Sequence, residues 1–466
     1  MENGSVRIES ITIENFKNVK YGSIELENRR KNYKASIVGI YGQNGSGKTV
    51  LVDAVALLKY VLCGQPVPLK YADYVNIDAE YATLQYQFRI KLEGGTYDVW
   101  YQFGLRKTID DTQLNMPEDA GNVGTKAEIF DEVLSYAYTS KTEKIRKSVL
   151  IDTRTSEVFV PRIKFKELVG GKQNLTDLLV TKRYVQTTSR AFIFSREMVT
   201  IFKENCNDLR YLTVLENLVR FGNRELFVIN TENSGLISMN ALPLAFKYKG
   251  KNSEAVGNLT LPLDMPTFIP EQALEIVRKV VANMNVVLEQ LVPGLTIGIS
   301  ELGMAISKDG KPGRNIQLMS LRDGKTIPFQ YESEGIKKIV SILQLLIVVY
   351  NSHSITVAVD ELDAGIFEYL LGEILNIISE KGKGQLIFTS HNLRPLETLD
   401  KGFIAFTTTN PYNRYFRMTN VKGNNNLRDF YYRDIVLGEQ NEPLYQSTDN
   451  FEIALAFREA GEAFGS

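Results

Sequence analysis

The amino-acid sequence predicts an α/β protein with a mixed sheet and flanking helices, formed by the N- and C-terminal parts of the chain. Three observations support this prediction. An apolar strand at residues 36–41 runs directly into a glycine-rich loop and a helix. After residue 332, helices alternate with wholly apolar strands, which is typical of a sheet covered on both faces. One of these strands ends in a pair of acidic residues, Asp360 and Glu361.

Length and composition describe an ordinary globular chain. Its 466 residues predict two to three domain-sized units. Hydrophobic residues make up 44% and charged residues 23%, so we expect a core of normal size. The formal net charge of −1 excludes an overall positive charge that would attract nucleic acid or membrane. Any contact with nucleic acid or membrane must therefore come from a local basic patch.

Terminal and cysteine patterns predict a cytoplasmic protein. Residues 1–10 are polar and lack the basic and apolar regions of a signal peptide. The longest apolar stretch, 339–350, is too short to span a bilayer. Only two cysteines occur, Cys63 and Cys206, which form neither a disulfide framework nor a zinc pattern and suit a reducing compartment.

Hydrophobic periodicity predicts the order of the elements. Residues 7–26 alternate as two strands, and residues 81–105 alternate as a hairpin that turns at 93–95. The middle, 107–264, is the least regular part and predicts a mostly helical insertion. The later elements are predicted to be a helix at 273–291, strands at 295–299 and 315–321, a helix at 336–350, a strand at 355–359, a helix at 367–379 and a strand at 385–389.

The strongest chemical signal is the loop GQNGSGKT at residues 42–49, which matches G-x-x-x-x-G-K-[ST] in full. Its glycines let backbone N–H groups turn inward around phosphates, and the next helix adds its partial positive charge. Lys48 is expected to reach the β- and γ-phosphates, and Thr49 to ligate Mg²⁺. A plain glycine-rich turn is the alternative, but both required flanks are predicted. The nucleotide-binding residues of this loop are Gly42, Asn44, Gly45, Ser46, Gly47, Lys48 and Thr49.

Two further signals lie where predicted strands end. Open α/β sheets bind ligands at the carboxyl ends of their strands. Asp360 fits the carboxylate on the Mg²⁺ side, and Glu361 fits the group that activates the attacking water. His391 follows the strand at 385–389, from where it can donate a hydrogen bond to the γ-phosphate. The alternatives are a solvated acidic turn and a structural histidine.

A fourth signal precedes the apolar helix at 336–350. Ser333 fits its N-cap, and Gly335 follows in an S-x-G pattern. Lys337 and Lys338 fall in the first turn, where the helix dipole disfavours cations unless an anion docks there. The sequence therefore predicts either an anion site at this helix end or two solvated lysines.

The order of these motifs resembles ABC-type ATPases of the SMC and RecF kind, in which a large insertion also splits the ATPase. Residues 13–18, IENFKN, look like the first strand motif of that group. More narrowly, the runs DELDAGIFE at 360–368 and LRDFY at 427–431 look like bacterial AAA-family proteins of the RloA/AbiLi type. Those proteins are associated with restriction-modification and abortive phage defence.

This resemblance implies a P-loop NTPase fold of the ABC-ATPase type that uses ATP and Mg²⁺. It also implies a homodimer or higher oligomer through ATP-sandwiched heads, in which Ser333 and Gly335 of one head cap the γ-phosphate held by Lys48 of the other. The corresponding division of the chain is an N-terminal lobe at 1–106, an insertion for partner docking at 107–264, a C-terminal lobe at 265–440 and a tail at 441–466.

Some positions depart from the pattern of that group. The signature reads ESEGI at 332–336 in place of L-S-G-G-Q/E, and Phe367 stands where the D-loop aspartate is usual. The Q-loop glutamine stays open among Gln85, Gln87 and Gln186. These departures predict an altered dimer contact and slow turnover.

The leading functional hypothesis is an ATP-dependent switch in antiviral defence that acts with a separate effector, a nuclease or toxin. The chain itself is not expected to cut nucleic acid, because no Asp-x-Asp pair follows His391. One alternative is a DNA-repair clamp of the RecF type, for which local basic runs exist at 141–147 and 162–172. Another is a nucleotide-dependent scaffold with little turnover.

Overall fold

Two six-stranded sheets dominate the part of the chain that the computed structural model describes, one antiparallel and one mostly parallel. The described residues are 4–28, 33–109, 124–154, 165–230, 241–249, 254–307, 309–418, 426–437, 442–446 and 448–462.

The N-terminal part supplies strands to both sheets and one buried helix. All elements predicted for this part are present. They are two strand pairs, the apolar strand before the glycine-rich loop and the helix after that loop. The elements are β1 (Ser5–Phe16), β2 (Val19–Glu25), β3 (Ser36–Tyr41), α1 (Lys48–Leu62), β4 (Tyr81–Leu92) and β5 (Gly95–Ile109).

The middle segment differs from the expected mostly helical insertion, because it contains strands as well as helices. In the first of these strands the chain bulges where Asp131 has a φ of 51°, which interrupts the alternation that would have predicted it. The elements are β6 (Thr125–Thr139), β7 (Lys144–Asp152), α2 (Phe165–Val169), α3 (Lys172–Thr187), α4 (Arg196–Asn205), α5 (Leu209–Arg220), β8 (Leu226–Ile229), β9 (Ala241–Lys249) and β10 (Glu254–Pro262).

The C-terminal part alternates helices and strands, as its apolar pattern predicts. The predicted helices and strands occur with ends shifted by a few residues, and two strands are longer than expected. The elements are β11 (Thr267–Pro270), α6 (Glu271–Leu291), β12 (Leu295–Ile306), β13 (Pro312–Arg322), β14 (Lys325–Pro328), α7 (Glu334–Asn351), β15 (Thr356–Val359), α8 (Glu368–Lys381), β16 (Gln385–Thr389), α9 (Arg394–Thr398), β17 (Ile404–Thr407), β18 (Tyr415–Phe416), α10 (Leu427–Leu437) and α11 (Asn450–Glu462).

The mostly parallel sheet has the strand order β18-β17-β3-β16-β15-β8. Strands β17, β3, β16, β15 and β8 are mutually parallel, and β18 pairs with β17 in the antiparallel sense. Because β3, β15 and β16 point the same way, the segments after Tyr41, Val359 and Thr389 leave the sheet at one edge. Strand β8 comes from the middle segment, so that segment contributes to the sheet that carries the predicted site.

Helix α1 lies between the two main sheets. The antiparallel sheet, of order β2-β1-β4-β5-β6-β7, covers the helix on the side away from the parallel sheet. Side chains of the parallel strands alternate between two cores, as the period of a strand requires. Val38 and Ile387 face α1, whereas Ile37 and Leu386 face the core that contains α6, α7 and α8.

A buried glutamine joins the two ends of the sequence. The side-chain Oε1 of Gln385 accepts a hydrogen bond from the Ile8 backbone N–H at 3.1 Å, and its Nε2 donates to the Ile8 carbonyl at 2.8 Å. Gln385 is fully buried, so leaving either amide group unpaired would be costly. It therefore fixes strand β16 of the C-terminal part against strand β1 of the N-terminal part.

Candidate functional site

The loop between β3 and α1 has the backbone that a phosphate cradle needs. Gly42, Gly45 and Gly47 all have positive φ, at 152°, 76° and 94°. A Cβ atom at Gly42 would lie 2.0 Å from Thr407 Oγ1, so only glycine fits there. Gly47 is the N-cap of α1 and gives the helix no side-chain cap. The first-turn N–H groups of α1 are therefore available to an anion.

The predicted loop residues fall into two groups. The backbone or side chains of Asn44, Gly45, Gly47, Lys48 and Thr49 line a cavity. Ser46 and Gly42 instead support the loop from behind. The Ser46 hydroxyl donates to the Gln43 carbonyl at 2.6 Å and lies 2.5 Å from Thr407 Oγ1.

Lys48 is held inside this loop. Its Nζ donates to the carbonyls of Gly42 at 2.8 Å and Gln43 at 3.0 Å. Burial lowers the pKa of Lys48, while the nearby carboxylates Asp360 and Glu361 act in the opposite direction. The ammonium group therefore lies within the phosphate-binding loop, where a bound phosphate could replace its two carbonyl acceptors.

A hydroxyl and a carboxylate meet at the start of α1 and the end of β15. Thr49 Oγ1 lies 3.3 Å from Asp360 Oδ1, across 311 sequence positions. Asp360 is 1% exposed, and its Oδ1 also accepts from Thr389 Oγ1 at 2.6 Å. Oxygen ligands of this kind fit Mg²⁺, which takes few protein ligands and completes its shell with water and phosphate oxygens. Within the described residues, no group of three or more His, Cys, Asp or Glu side chains forms a protein-only metal cage.

Glu361 follows in an unusual backbone conformation. Its φ is 47°, which is uncommon for a residue other than glycine and frequent at functional sites. The Glu361 N–H donates to Thr389 Oγ1 at 2.7 Å, so the same hydroxyl contacts both acidic residues. Glu361 is exposed and lines the same cavity as Lys48.

The cavity brings both ends of the sequence together. It measures about 540 Å³, and His391 lines it from the turn after β16. Four of the lining residues were not predicted as site residues from the sequence: Lys17, Asn18, Val50 and Thr389. The lining residues are Lys17, Asn18, Asn44, Gly45, Gly47, Lys48, Thr49, Val50, Glu361, Thr389 and His391.

Lys17 and Asn18 belong to the run IENFKN at residues 13–18, which resembles the first strand motif of SMC- and RecF-type ATPases. Lys17 has a φ of 51°, and its Nζ lies 2.5 Å from Asp53 Oδ2 and 3.8 Å from the centre of the Tyr74 ring. Asn18 donates from its side chain to the Gly45 carbonyl. The motif that contains both residues was therefore recognised in the sequence, but no role in the site was predicted for either residue.

The predicted signature residues lie outside this cavity. Ser333 is the N-cap of α7, as predicted, and its Oγ accepts from the Ile336 N–H at 3.4 Å. Gly335 packs on the loop after β15, where an added Cβ would lie 2.4 Å from the Gly365 carbonyl oxygen. Neither residue lines the nucleotide cavity of its own chain.

The glutamines proposed for a Q-loop also lie elsewhere. Gln186 lines a separate cavity in the middle segment, beside Lys182 and Arg154. Gln87 accepts from Ser10 Oγ at 3.4 Å, within the antiparallel sheet. None of the three candidate glutamines is among the residues that line the nucleotide cavity.

The two lysines at the start of α7 are not both solvated. Lys337 pairs with Glu334 at 2.9 Å, but Lys338 is only 3% exposed. Burial lowers the pKa of Lys338 to about 8, while Asp363, Glu361 and Asp360 favour its charged form. Lys338 is therefore buried near the carboxylates after β15 in its own chain, and the alternative of two solvated lysines is wrong.

Replacing Lys338 with methionine is expected to raise the thermal stability at pH 7. The unfolded chain holds this proton up to about pH 10.5, whereas the folded chain holds it only to about pH 8. The cost of burying the charge is thus fully present below pH 8 and is lost as pH rises towards 10.5. It amounts to about 3 kcal/mol at most, and this value already includes the attraction to the carboxylates.

Melting temperatures of wild type and Lys338→Met at pH 7 and pH 10 test this expectation. The methionine variant should melt higher at pH 7, and its advantage should shrink at pH 10. The matched control is Lys337→Met. A Lys338→Met protein that melts lower than wild type at pH 7 would contradict the burial argument.

Residues 10–208 match a protein family described as an AAA domain. This match and the observed architecture agree with the predicted P-loop fold of mixed α/β class. No protein with a curated description matches the chain. No helix in the described ranges is long and apolar enough to cross a membrane.

Several solved structures are similar to the chain at low identity. The Smc head domain with a coiled coil and joint from Pyrococcus yayanosii is 11% identical, with 91% of this chain and 100% of that chain covered and a TM-score of 0.42. The recombination mediator protein RecF is also 11% identical, with coverages of 90% and 100% and a TM-score of 0.36. The SMC head domain from Thermotoga maritima is 12% identical, with coverages of 89% and 99% and a TM-score of 0.33. Likenesses of this degree assign no function.

Proposed function

We propose that this chain binds ATP with Mg²⁺ and hydrolyses it, and that the nucleotide state acts as a switch. One observation carries the proposal: Lys48 and Thr49 from the N-terminal part line one cavity with Glu361 and His391 from the C-terminal part, and Asp360 contacts Thr49 beside it. The Thr49–Asp360 contact of 3.3 Å joins the two parts and supports a metal-ion site between them.

The roles of the side chains follow from their chemistry. Mg²⁺, when bound, would be held by Thr49 and Asp360 and would neutralise charge on the phosphates. Lys48 exchanges its two carbonyl contacts for phosphate oxygens. Glu361 accepts a proton from the attacking water, and His391 donates a hydrogen bond to the transferred phosphoryl group.

Metal dependence provides the experiment for this assignment. Phosphate release by the purified chain should require Mg²⁺, and Asp360→Asn should raise the Mg²⁺ concentration needed for half-maximal release. Release that is independent of Mg²⁺, or an unchanged requirement in Asp360→Asn, would overturn the proposed metal side of the site.

We further propose that two chains associate through ATP, with Ser333 and Gly335 of one chain on the γ-phosphate bound by the other. Ser333 is exposed, caps α7 and lies outside the cavity of its own chain, which supports a role towards a second copy. A helix N-terminus with a small polar cap is suited to a phosphate group.

Ser333→Asp is expected to weaken this association while keeping the helix intact. Aspartate caps helices about as well as serine, so the fold of α7 should persist. Its carboxylate would repel the γ-phosphate of the other chain. Light scattering with a non-hydrolysable ATP analogue should report dimers for wild type and for the control Ser333→Thr, and monomers for Ser333→Asp. Equal assembly of all three proteins would remove the proposed contact.

The biological setting we propose is bacterial antiviral defence, with a separate effector. Its support is the likeness of runs 360–368 and 427–431 to defence ATPases of the RloA/AbiLi type. The second run begins α10, where Arg428 pairs with Glu397 at 2.7 Å. Glu397 lies in α9, which follows the turn that carries His391. A partner on α10 would thus contact the element packed against α9, the helix that follows the turn with His391.

A DNA clamp is the second candidate, favoured by the charge of one edge strand. Strand β7 begins KIRK, and Lys144, Arg146 and Lys147 lie on the open edge of the antiparallel sheet. DNA binding that strengthens with ATP and falls steeply with salt would favour the clamp. Salt-insensitive or absent DNA binding would favour the switch with a protein effector.

A further inference from the structure

An aspartate outside the assigned site contacts the turn that carries His391. Asp363 Oδ2 accepts hydrogen bonds from the backbone N–H groups of His391 at 3.0 Å and Asn392 at 2.9 Å. The other carboxylate oxygen, Oδ1, is buried and accepts no hydrogen bond from the described residues. The carboxylate is therefore directed at the start of the turn after β16.

The loop that presents Asp363 is held in place on both sides. The Leu362 N–H donates to the Thr389 carbonyl at 3.0 Å, and the Ile366 N–H donates to the Asp363 carbonyl at 3.0 Å. Gly365, with a φ of 76°, packs directly on Gly335 at the start of α7. The carboxylate thus belongs to a loop wedged between β16 and the first turn of α7.

The two N–H groups do not depend equally on Asp363. The Asn392 N–H also lies 3.0 Å from Ser390 Oγ and so has a second acceptor. For the His391 N–H, the Asp363 carboxylate is the acceptor that the structure provides. Loss of this carboxylate should therefore act mainly at His391, because a backbone N–H would lose its partner there.

We propose that Asp363 is a positioning residue for His391, fixing the backbone from which the imidazole reaches the cavity. The loop that carries Asp363 also packs on the start of α7 through Gly365 and Gly335, so the loop joins that helix end to the turn that carries His391. The catalytic consequence rests on the proposed role of His391 at the γ-phosphate, whereas the positioning itself does not.

Nuclear magnetic resonance of the imidazole groups tests the positioning without any turnover. The chain has two histidines, His353 and His391, so each variant gives two signals, assigned by His391→Ala. Asp363→Ala should shift the His391 signal and leave that of His353 unchanged. Asp363→Asn keeps one acceptor oxygen and should largely restore the wild-type position. Asp363→Glu keeps the charge but moves the carboxylate by about 1.5 Å, and should shift His391 again.

Hydrolysis rates of the single and double variants test the consequence. Asp363→Ala should lower phosphate release by roughly 10–100-fold with little change in ATP affinity. If Asp363 acts through His391, the double variant with His391→Ala should be no slower than His391→Ala alone. The proposal would be overturned if the double variant were slower than His391→Ala by the full factor that Asp363→Ala causes alone. It would also be overturned if the His391 signal did not move in Asp363→Ala and Asp363→Glu. Full hydrolysis by His391→Ala alone would instead refute the role of His391 in the proposed function.

Discussion

Lys48→Ala is expected to abolish measurable binding of Mg·ATP. Among the lining residues of the loop at 42–49, Lys48 supplies the cation, and its ammonium is already placed by two backbone carbonyls. Each hydrogen bond to a charged group contributes about 1.5–3 kcal/mol, and about 1.4 kcal/mol changes affinity tenfold. Losing two phosphate contacts should thus weaken binding by roughly 100-fold or more.

Calorimetric titration with a non-hydrolysable analogue measures this loss. The control is Lys107→Ala, whose exposed ammonium pairs with Asp73 at 2.7 Å, away from the cavity. The control should bind like wild type, and both variants should keep the wild-type circular dichroism spectrum. Unchanged affinity in a folded Lys48→Ala protein would show that the loop is not the phosphate site.

Glu361→Gln is expected to separate binding from hydrolysis. Glutamine keeps the size of the side chain and the backbone N–H that donates to Thr389, but it cannot accept a proton from water. Phosphate release should fall on the order of 10²–10⁴-fold if loss of the general base dominates. Affinity for Mg·ATP should stay close to wild type, because Lys48, Thr49 and Asp360 remain.

An exposed glutamate on α8 provides the control for this variant. Glu373→Gln makes the same chemical change away from the cavity and should hydrolyse ATP at the wild-type rate. Rapid-quench measurement of a single turnover isolates the chemical step from product release. Wild-type single-turnover rates in Glu361→Gln would mean that another residue activates the water.

Elements whose residues are neighbours along the chain could be predicted from the local sequence pattern. The apolar strand β3, the glycine spacing after it and the start of α1 are neighbours along the chain. The acidic pair at 360–361 and His391 were predicted because parallel strands deliver their carboxyl ends to one edge. The register of β15 and β16, with Val359 opposite Phe388, brings these segments together.

The missed features depend on packing between distant segments. Thr389 looks like an ordinary strand residue, and only the strand register places its hydroxyl between Asp360 and the Glu361 backbone. Lys338 looks like a first-turn surface lysine, but in the fold it is only 3% exposed. Strand β6 escaped prediction because a bulge near Asp131 interrupts its alternation.

The central claim is that ATP held by the loop at 42–49 is hydrolysed by a carboxylate from the far end of the sequence. Phosphate released per ATP bound, measured in parallel for wild type, Lys48→Ala and Glu361→Gln, tests it most directly. We predict that wild type binds ATP and releases phosphate, and that Lys48→Ala neither binds ATP nor releases phosphate. Glu361→Gln should bind ATP but release almost no phosphate. Wild-type release no greater than that of Lys48→Ala, or release by Glu361→Gln equal to wild type, would contradict the claim.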